Sequence, residues 1–182
     1  GQPWPRITIV TPSYNQGQFA EETIRSVLLQ GYPNLEFFVI DGGSTDATLE
    51  VLEEYKEWID YWVSEEDAGQ ANAINKGLRE ASGHWFQTVN SDDIMAEGAL
   101  LAVGSTSVYS DAVCCPVYGF SGNDHRVNTM PTALNRSLNV RDMIKYPWHN
   151  STMRWHQPGV FFRTQFLRKI GGYDERFSYV FD

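Results

Sequence analysis

The stretch WFQTVNSDD, Trp85–Asp93, is the part of the sequence that decides the predicted fold. It begins as an apolar run typical of a buried strand and then breaks into the polar corner Asn90–Asp93, before a helix-like pattern that starts near Glu97. Two carboxylates ~4 Å apart repel by about 4 kcal/mol at an effective dielectric of ~20, and a divalent cation would reverse this repulsion. Since Mg²⁺ and Mn²⁺ prefer carboxylate oxygens, the corner indicates either a metal site or, because Ser and Asp are common caps, only a helix start.

Strand-like and helix-like segments alternate through the first half of the chain. The predicted strands before the corner are 6–11, 35–40 and 61–64. The predicted helices are 19–30, a segment that carries Leu49, Leu52, Tyr55 and Ile59 behind a Ser44 or Thr45 cap, and 70–81. This alternation is typical of βαβ units, so we expect an α/β fold: a Rossmann-like α/β/α sandwich around a mostly parallel central sheet.

The pattern is looser after residue 111. It predicts a strand over 112–120, a loop-rich stretch over 121–135, a short helix over 140–145 and a strand over 157–163. No internal repeat, low-complexity tract or linker interrupts the sequence. We therefore expect residues 1–182 to be a single domain.

The composition limits the classes of function. A net charge of -9 argues against a nucleic-acid partner, which normally requires a basic face, and it gives no support for a polybasic membrane anchor. No stretch approaches the ~18 apolar residues of a membrane-spanning helix. The two cysteines are adjacent, so on a strand they would point to opposite faces and not pair, which favours a reducing, cytoplasmic setting.

Four polar features follow the predicted strands, at their carboxyl ends. They are Thr11-Pro12-Ser13-Tyr14, Asp41-Gly42-Gly43, Asp67-Ala68-Gly69-Gln70 and Asn90-Ser91-Asp92-Asp93. Open α/β sheets bind ligands beyond these strand ends, and an Asp followed by glycines suits a nucleotide held against the backbone. Each feature alone is as often turn chemistry, but the four together favour a nucleotide site.

The ordered set of motifs resembles the signature of family 2 glycosyltransferases with the GT-A fold. The segments that carry this resemblance are ITIVTPSYNQGQF, LEFFVIDGGSTDAT, SEEDAGQANAINKG, NSDD and IGGYDERFSYVFD. It implies a GT-A-type sandwich, a nucleotide-diphospho-sugar donor (a UDP-sugar foremost), a divalent metal ion (Mn²⁺ or Mg²⁺) and transfer to an acceptor hydroxyl with inversion. The acceptor would be a glycan, a lipid-linked molecule or a protein in polysaccharide or glycolipid assembly, and the enzyme would lie in the cytoplasm, with peripheral association at the inner membrane face compatible with this assignment.

The resemblance also assigns roles to residues of this sequence. Asn90-Ser91-Asp92 occupies the position of the family's Asp-x-Asp motif, which makes Asp92 the first candidate metal ligand and Asp93 the second. Asn90 replaces the first Asp, and its amide can still hydrogen-bond a hydroxyl. The other implied donor contacts are Thr11, Pro12, Ser13, Tyr14, Asp41 and Gly42 for the nucleobase and ribose, and Asp67, Gln70 and Asn75 for the ribose or sugar.

The end of the chain resembles the part of the family that carries the catalytic acidic residue. Gly171–Phe177 matches the stretch before it, which implies that Asp182 is the general base for the acceptor hydroxyl. His156 and Gln157 match a position near the transferred sugar. The alternative, non-catalytic interpretation of Asp182 is a frayed terminal carboxylate, since chain ends are poorly ordered.

Other functions fit the sequence less well. A nucleotidyltransferase usually has a glycine-rich, basic loop after its first strand, and a dinucleotide dehydrogenase needs G-x-G-x-x-G there; the segment 11–17 provides neither. A nucleotide-sugar-binding fragment without turnover stays open as an alternative. The sequence stops at Asp182, where relatives usually continue, so we expect the domain to be truncated at its C-terminal end.

Overall fold

The computed structural model of the chain describes residues 4–106, 110–121, 124–130 and 157–177. Its strands are β1 (Ile7–Ser13), β2 (Leu35–Asp41), β3 (Tyr61–Ser64), β4 (Trp85–Thr88), β5 (Ala112–Cys114), β6 (Val117–Ser121), β7 (Asp124–Met130) and β8 (Val160–Arg163). Its helices are α1 (Gly17–Leu28), α2 (Thr48–Tyr55), α3 (Gln70–Glu80), α4 (Ala99–Gly104) and α5 (Thr164–Ile170).

Six of these strands form the central sheet, in the order β3-β2-β1-β4-β8-β5. The first four are parallel to one another, whereas β8 runs antiparallel to both β4 and β5. The predicted α/β fold with a mostly parallel sheet is therefore confirmed.

Two apolar cores cover the two faces of the sheet, because neighbouring strand residues point to opposite sides. Ile9 and Phe37 belong to the core that contains buried residues of α1, α2 and α4. Val10 and Phe38 belong to the other core, with buried residues of α3 and α5. Helices on both faces make the sheet the middle layer of the predicted sandwich.

Helix α3 approaches the sheet unusually closely. A Cβ added at Gly77 would lie 2.7 Å from both methyl groups of Val10 on β1, so only glycine fits at this point. The close contact fixes the position of α3 against β1, and with it the start of the helix at Gln70.

The second half of the chain departs from the prediction. The single strand predicted over 112–120 is two strands, β5 and β6, separated by Cys115 and Pro116, since proline has no N–H for a ladder and the Cys115 N–H donates to the Gly159 carbonyl instead. Strand β7 occupies part of the stretch predicted as loop and pairs with β6 as a separate two-stranded sheet. The strand predicted over 157–163 begins only at residue 160, after a 3₁₀ turn that contains Pro158.

Several local predictions are corrected or fall outside the described residues. Helix α5 was not predicted, and the predicted helix over 140–145 lies outside the described part of the chain. The predicted Ser44 or Thr45 cap of α2 is wrong, because the Asp46 carboxylate accepts from the Thr48 N–H at 3.0 Å instead. Of the apolar residues predicted to share one side of this helix, Leu52 and Tyr55 are buried, whereas Leu49 is 37% exposed and Ile59 lies beyond the end of α2. No helix in the described ranges combines the length and apolar composition needed to cross a membrane.

Candidate functional site

The carboxyl ends of the four parallel strands meet at one edge of the sheet, as predicted. Register places Ser13 of β1 beside Asp41 of β2, and Asp41 beside Ser64 of β3. The start of antiparallel β8 reaches the same edge, because the Gln157 side-chain amide donates to the Thr88 hydroxyl at the end of β4. The sequence-predicted features are thus brought together along one edge.

Asp41 is completely buried and its carboxylate is fully occupied by hydrogen bonds. It accepts from the Gly43 N–H at 3.1 Å, from the Ser44 N–H at 2.8 Å and from the hydroxyls of Ser44 and Ser64. Charge-assisted bonds of this kind are among the strongest in proteins. In this arrangement Asp41 shapes the loop after β2, and the predicted contact between its carboxylate and a nucleotide stays a prediction.

The loop after β2 is tied to the start of α1. The Asn15 N–H donates to the Ser44 hydroxyl at 2.7 Å, and the Asn15 side chain accepts from the Thr45 N–H at 2.9 Å. Asp46 accepts from Thr48 and from the Gly17 N–H, and these hydrogen bonds hold the pKa of Asp46 below its usual value. The two loops that carry the predicted nucleobase contacts therefore form one hydrogen-bonded unit.

Gly42 and Asp67 lie directly against each other across the edge. A Cβ at position 42 would lie 3.1 Å from an Asp67 carboxylate oxygen, so any larger residue would push this side chain away. Asp67 is only partly buried and accepts from the Gly69 N–H at 2.7 Å. Asp67 is thus an accessible carboxylate beside the Asp41 loop.

The hydroxyls at the end of β1 differ from their neighbours in their hydrogen bonding. Thr11 and Ser13 are 1% and 6% exposed, and neither side-chain oxygen has a hydrogen-bond partner among the described residues. Pro12 between them is also buried, whereas Tyr14 is largely exposed at the mouth of the edge. Unpaired buried hydroxyls are uncommon in folded proteins, which makes this strand end distinctive.

A chain of side-chain amides links α3, β4 and the turn before β8. The Gln70 amide donates to the Asn90 side-chain carbonyl. The Asn90 NH₂ group donates to an Asp93 carboxylate oxygen at 3.0 Å and to the Gln157 carbonyl at 3.3 Å. Three segments that are distant in sequence therefore converge on the acidic corner.

The acidic corner carries a charge that the described protein does not neutralise. Asp92 is exposed and Asp93 is partly buried, and neither forms an ion pair with another described residue. Burial, followed by the charge of Asp92, raises the pKa of Asp93 above its usual value. A cation bound beside these two carboxylates would remove this penalty.

The carboxylates of the acidic corner fit a metal ion whose remaining ligands come from substrate phosphates. Within the described ranges there is no cluster of three or more His, Cys, Asp or Glu side chains that would form a complete metal cage. Mg²⁺ and Mn²⁺ are commonly bound by one or two carboxylates together with substrate phosphates. Asp92 and Asp93 could supply these carboxylates.

Asn75 of α3 contacts the loop 171–177. Its buried amide donates to the Tyr173 carbonyl and to the Glu175 carboxylate, both at 2.8 Å, and accepts from the Tyr173 N–H at 2.9 Å. A Cβ at Gly172 would lie 2.5 Å from the Asn75 oxygen. Asn75 therefore holds the loop 171–177 against α3, and its predicted sugar contact stays a prediction.

Two predicted residues cannot be placed, and two others were missed. Asp182 and His156 lie outside the described residues. Sequence reasoning did not single out Ser64 or Thr88, whose hydroxyls contact Asp41 and Gln157. A strand-terminal Ser or Thr next to the predicted site was the only signal available for them.

Solved structures show the same architecture. The chain superimposes on Staphylococcus aureus TarS with a TM-score of 0.73 at 21% identity, covering 96% of this chain and 52% of TarS. It superimposes on the Pyrobaculum calidifontis mannosyltransferase PcManGT, solved with GDP-Man and Mn²⁺, with a TM-score of 0.69 at 23% identity, covering 96% of this chain and 49% of that one. These similarities confirm the predicted GT-A-type fold.

Proteins related in sequence are also named as glycosyltransferases. TuaG of Bacillus subtilis, named as a teichuronic acid biosynthesis glycosyltransferase, is 39% identical over 92 residues, which cover 49% of this chain and 36% of TuaG. An uncharacterized glycosyltransferase of Mycobacterium tuberculosis is 28% identical over 184 residues, which cover 98% of this chain and 66% of that protein. The chain thus spans less than two thirds of the length of either relative. The sequence profile described as glycosyl transferase family 2 matches residues 8–171, and the chain belongs to this family.

Proposed function

We propose that this chain is the donor-binding part of a metal-dependent glycosyltransferase that moves a sugar from a nucleotide-diphospho-sugar to an acceptor hydroxyl with inversion. The observation that carries the proposal is the acidic corner at the carboxyl edge, where Asp92 and Asp93 lack a described cationic partner. Carboxylates without a cationic partner at the ligand-binding edge of an α/β sheet can bind the divalent cation that accompanies a diphosphate.

Names and ligands of similar proteins support this donor class. TarS has been solved in complex with UDP-GlcNAc, and PcManGT in complex with GDP-Man and Mn²⁺. TuaG is named for the biosynthesis of teichuronic acid. We therefore propose a UDP-sugar as the first donor to test and polysaccharide or glycolipid assembly as the setting, with a glycan, lipid-linked molecule or protein as acceptor.

Each group of residues has a role in the proposed reaction. The strand end Thr11–Tyr14 and the loop at Asp41 and Gly42 bind the nucleobase and ribose, while Asp67 and Gln70 face the ribose or sugar. Asp92 and Asp93 hold the cation. When bound, Mn²⁺ or Mg²⁺ neutralises charge that develops on the leaving diphosphate.

The chemical step needs a base on the side opposite the diphosphate. Asp182 is proposed to take the proton of the acceptor hydroxyl as the acceptor oxygen bonds to the anomeric carbon and the bond to the diphosphate breaks. In-line attack through an oxocarbenium-like transition state inverts the anomeric centre without a protein nucleophile. The predicted cytoplasmic setting, with peripheral membrane association, belongs to the same proposal.

The test measures nucleotide release from UDP-, GDP- and dTDP-sugars with Mn²⁺ and acceptor extracts. We expect release by the native chain that stops on addition of EDTA, falls strongly in Asp182→Asn and is unchanged in Glu50→Gln, an exposed control on α2. NMR of the product should show the inverted anomer. If the native chain and a full-length version bind donors but never release nucleotide, the enzyme proposal is wrong and the binding-only alternative holds.

A further inference from the structure

Gln157 has both ends of its side-chain amide occupied by residues of the protein. Its NH₂ group donates to the Thr88 hydroxyl, and its carbonyl accepts from the Asn90 NH₂ group at 3.3 Å. Thr88 is buried at the end of β4, so its hydroxyl is a fixed reference point in the sheet. The position of the Gln157 amide is therefore fixed against the rigid sheet, and the Thr88 hydroxyl can serve either end of the amide because it both donates and accepts.

Asn90 has its amide orientation set in turn by its neighbours. Its carbonyl accepts from Gln70, and its NH₂ group donates to Gln157 and to the Asp93 carboxylate. An ionised carboxylate only accepts hydrogen bonds, so a flipped Asn90 amide would bring two acceptor oxygens together at Asp93. The Asp93 carboxylate thus sets which way the Asn90 amide faces, and the hydrogen bond to Gln157 holds Asn90 in the position from which it donates to Asp93.

We infer that Gln157 is a positioning residue that acts through Asn90 to orient the Asp93 carboxylate toward the metal-bound diphosphate. This inference rests on the proposed function and assigns a residue that touches neither the metal nor the nucleotide. It differs from the expectation that Gln157 contacts the transferred sugar. Groups that orient metal ligands in this way are typically worth 10- to 100-fold in metal affinity.

Removing the sugar from the ligand separates the two roles of Gln157. The probes are UDP and GDP, each titrated with MnCl₂ and followed by calorimetry and by Mn²⁺ EPR, in the absence of any sugar. We expect Gln157→Ala to weaken nucleotide-dependent Mn²⁺ binding by about 10-fold. Gln157→Glu should retain most of the affinity, because a carboxylate still accepts from Asn90 and from the Thr88 hydroxyl.

Two further variants control for folding and for nonspecific effects. Gln165→Ala removes an exposed glutamine on α5 and should leave Mn²⁺ binding unchanged. Thr88→Val removes the hydroxyl that orients Gln157 while keeping a similar volume, and it should reproduce the loss seen in Gln157→Ala. This variant serves if Gln157→Ala fails to fold, which thermal unfolding would reveal.

The outcomes distinguish the inference from the function on which it rests. If Gln157→Ala binds Mn²⁺ with UDP or GDP like the native chain and loses affinity only for UDP- or GDP-sugars, Gln157 is a sugar contact and the inference is wrong. If the native chain takes up no Mn²⁺ with either nucleotide, while thermal unfolding shows that it is folded, the proposed function is overturned together with the inference. A loss in Gln157→Ala that Gln157→Glu restores supports both.

Discussion

At the amino edge of the sheet, the buried Glu36 carboxylate accepts from the Thr8 hydroxyl and from the N–H and hydroxyl of Ser82, and it lies 3.5 Å from Arg6. At the carboxyl edge, Asp93 accepts one side-chain hydrogen bond from Asn90 and lies beside the charge of Asp92. Both carboxylates are withdrawn from water to some extent, yet their surroundings differ in kind.

The pKa shifts of the two groups have opposite directions. Burial alone would raise the pKa of Glu36, but hydrogen bonds from Ser82 and Thr8 outweigh burial and lower it below the usual value. Burial and then Asp92 raise the pKa of Asp93, and the bond from Asn90 offsets this only in part. The amino edge is thus neutralised by the protein itself, whereas the described residues of the carboxyl edge leave negative charge for a bound partner.

The largest expected effect is on activity at the carboxyl edge. Asp92→Asn removes the first candidate metal ligand and should lower kcat/KM for sugar transfer by at least about 100-fold, since even groups behind the ligands contribute 10- to 100-fold. Because Asp92 is exposed, the free energy of unfolding of the metal-free protein should change by less than about 0.5 kcal/mol. Initial rates at varied Mn²⁺ and urea unfolding measure the two quantities. Unchanged kcat/KM would remove Asp92 from the site.

The next effect is on stability at the amino edge. Glu36→Gln places an NH₂ donor against the donors of Ser82 and Thr8, and it should reduce the free energy of unfolding by about 1–3 kcal/mol. Urea unfolding at neutral pH measures the loss, with exposed Glu50→Gln as the matched control. Nucleotide-dependent Mn²⁺ binding by the folded fraction should be unaffected. A stability equal to that of the control would mean that the Glu36 network contributes nothing.

A smaller effect is the pH dependence that Glu36 gives to stability. The pKa of Glu36 is lower in the folded chain than in the unfolded one, so between these two values the unfolded chain binds more protons. Its stabilising contribution is therefore complete above the unfolded pKa of about 4.3 and is lost as the pH falls through the folded pKa. Urea unfolding between about pH 6 and 3 should show a weaker decline in Glu36→Gln than in the native chain. Parallel pH profiles would contradict this assignment.

The smallest expected effect is a gain in the stability of the metal-free protein when a carboxylate is removed from the carboxyl edge. Asp93→Asn removes a carboxylate that the fold disfavours in its charged form, so the metal-free variant should gain a few tenths of a kcal/mol, discounted for partial exposure. Thermal unfolding in EDTA should give a slightly higher Tm than for the native chain. With Mn²⁺ and UDP the order should reverse, since the native chain binds the metal more tightly and gains more stability from binding. A lower Tm in EDTA would show that Asp93 stabilises the fold.

Sequence periodicity predicted the elements with strong patterns and missed the weak ones. Strands β1 to β4 and helices α1 to α3 were predicted because their apolar spacing is clear over many residues. Helix α5 is only seven residues long, and β7 has a polar sequence, DHRVNTM, that resembles a loop. Their structure depends on pairing with other segments, which local patterns do not report.

The candidate site was predictable in its position and less so in its contacts. Motifs at strand ends located Asp92, Asp93 and Asp67 at one edge, since parallel topology brings strand ends together. The complete burial of Asp41 was not predictable, because it depends on Ser64, which reaches Asp41 only through the register of β2 and β3. Likewise, the partners of Asn75 lie about 100 positions later in the chain.

Strand β8 runs against β4, so its first residues, rather than its last, lie at the carboxyl edge. The segment between these two strands contributes to the edge at both of its ends, with Asn90 and Asp93 after β4 and Gln157 before β8. The described part of this segment is built into the fold, because α4 packs in the core and β5 pairs with β8 in the central sheet. A change in the length of this segment that shifted β8 along β4 would therefore displace Gln157 from Asn90 and Thr88, and with it one end of the carboxyl edge.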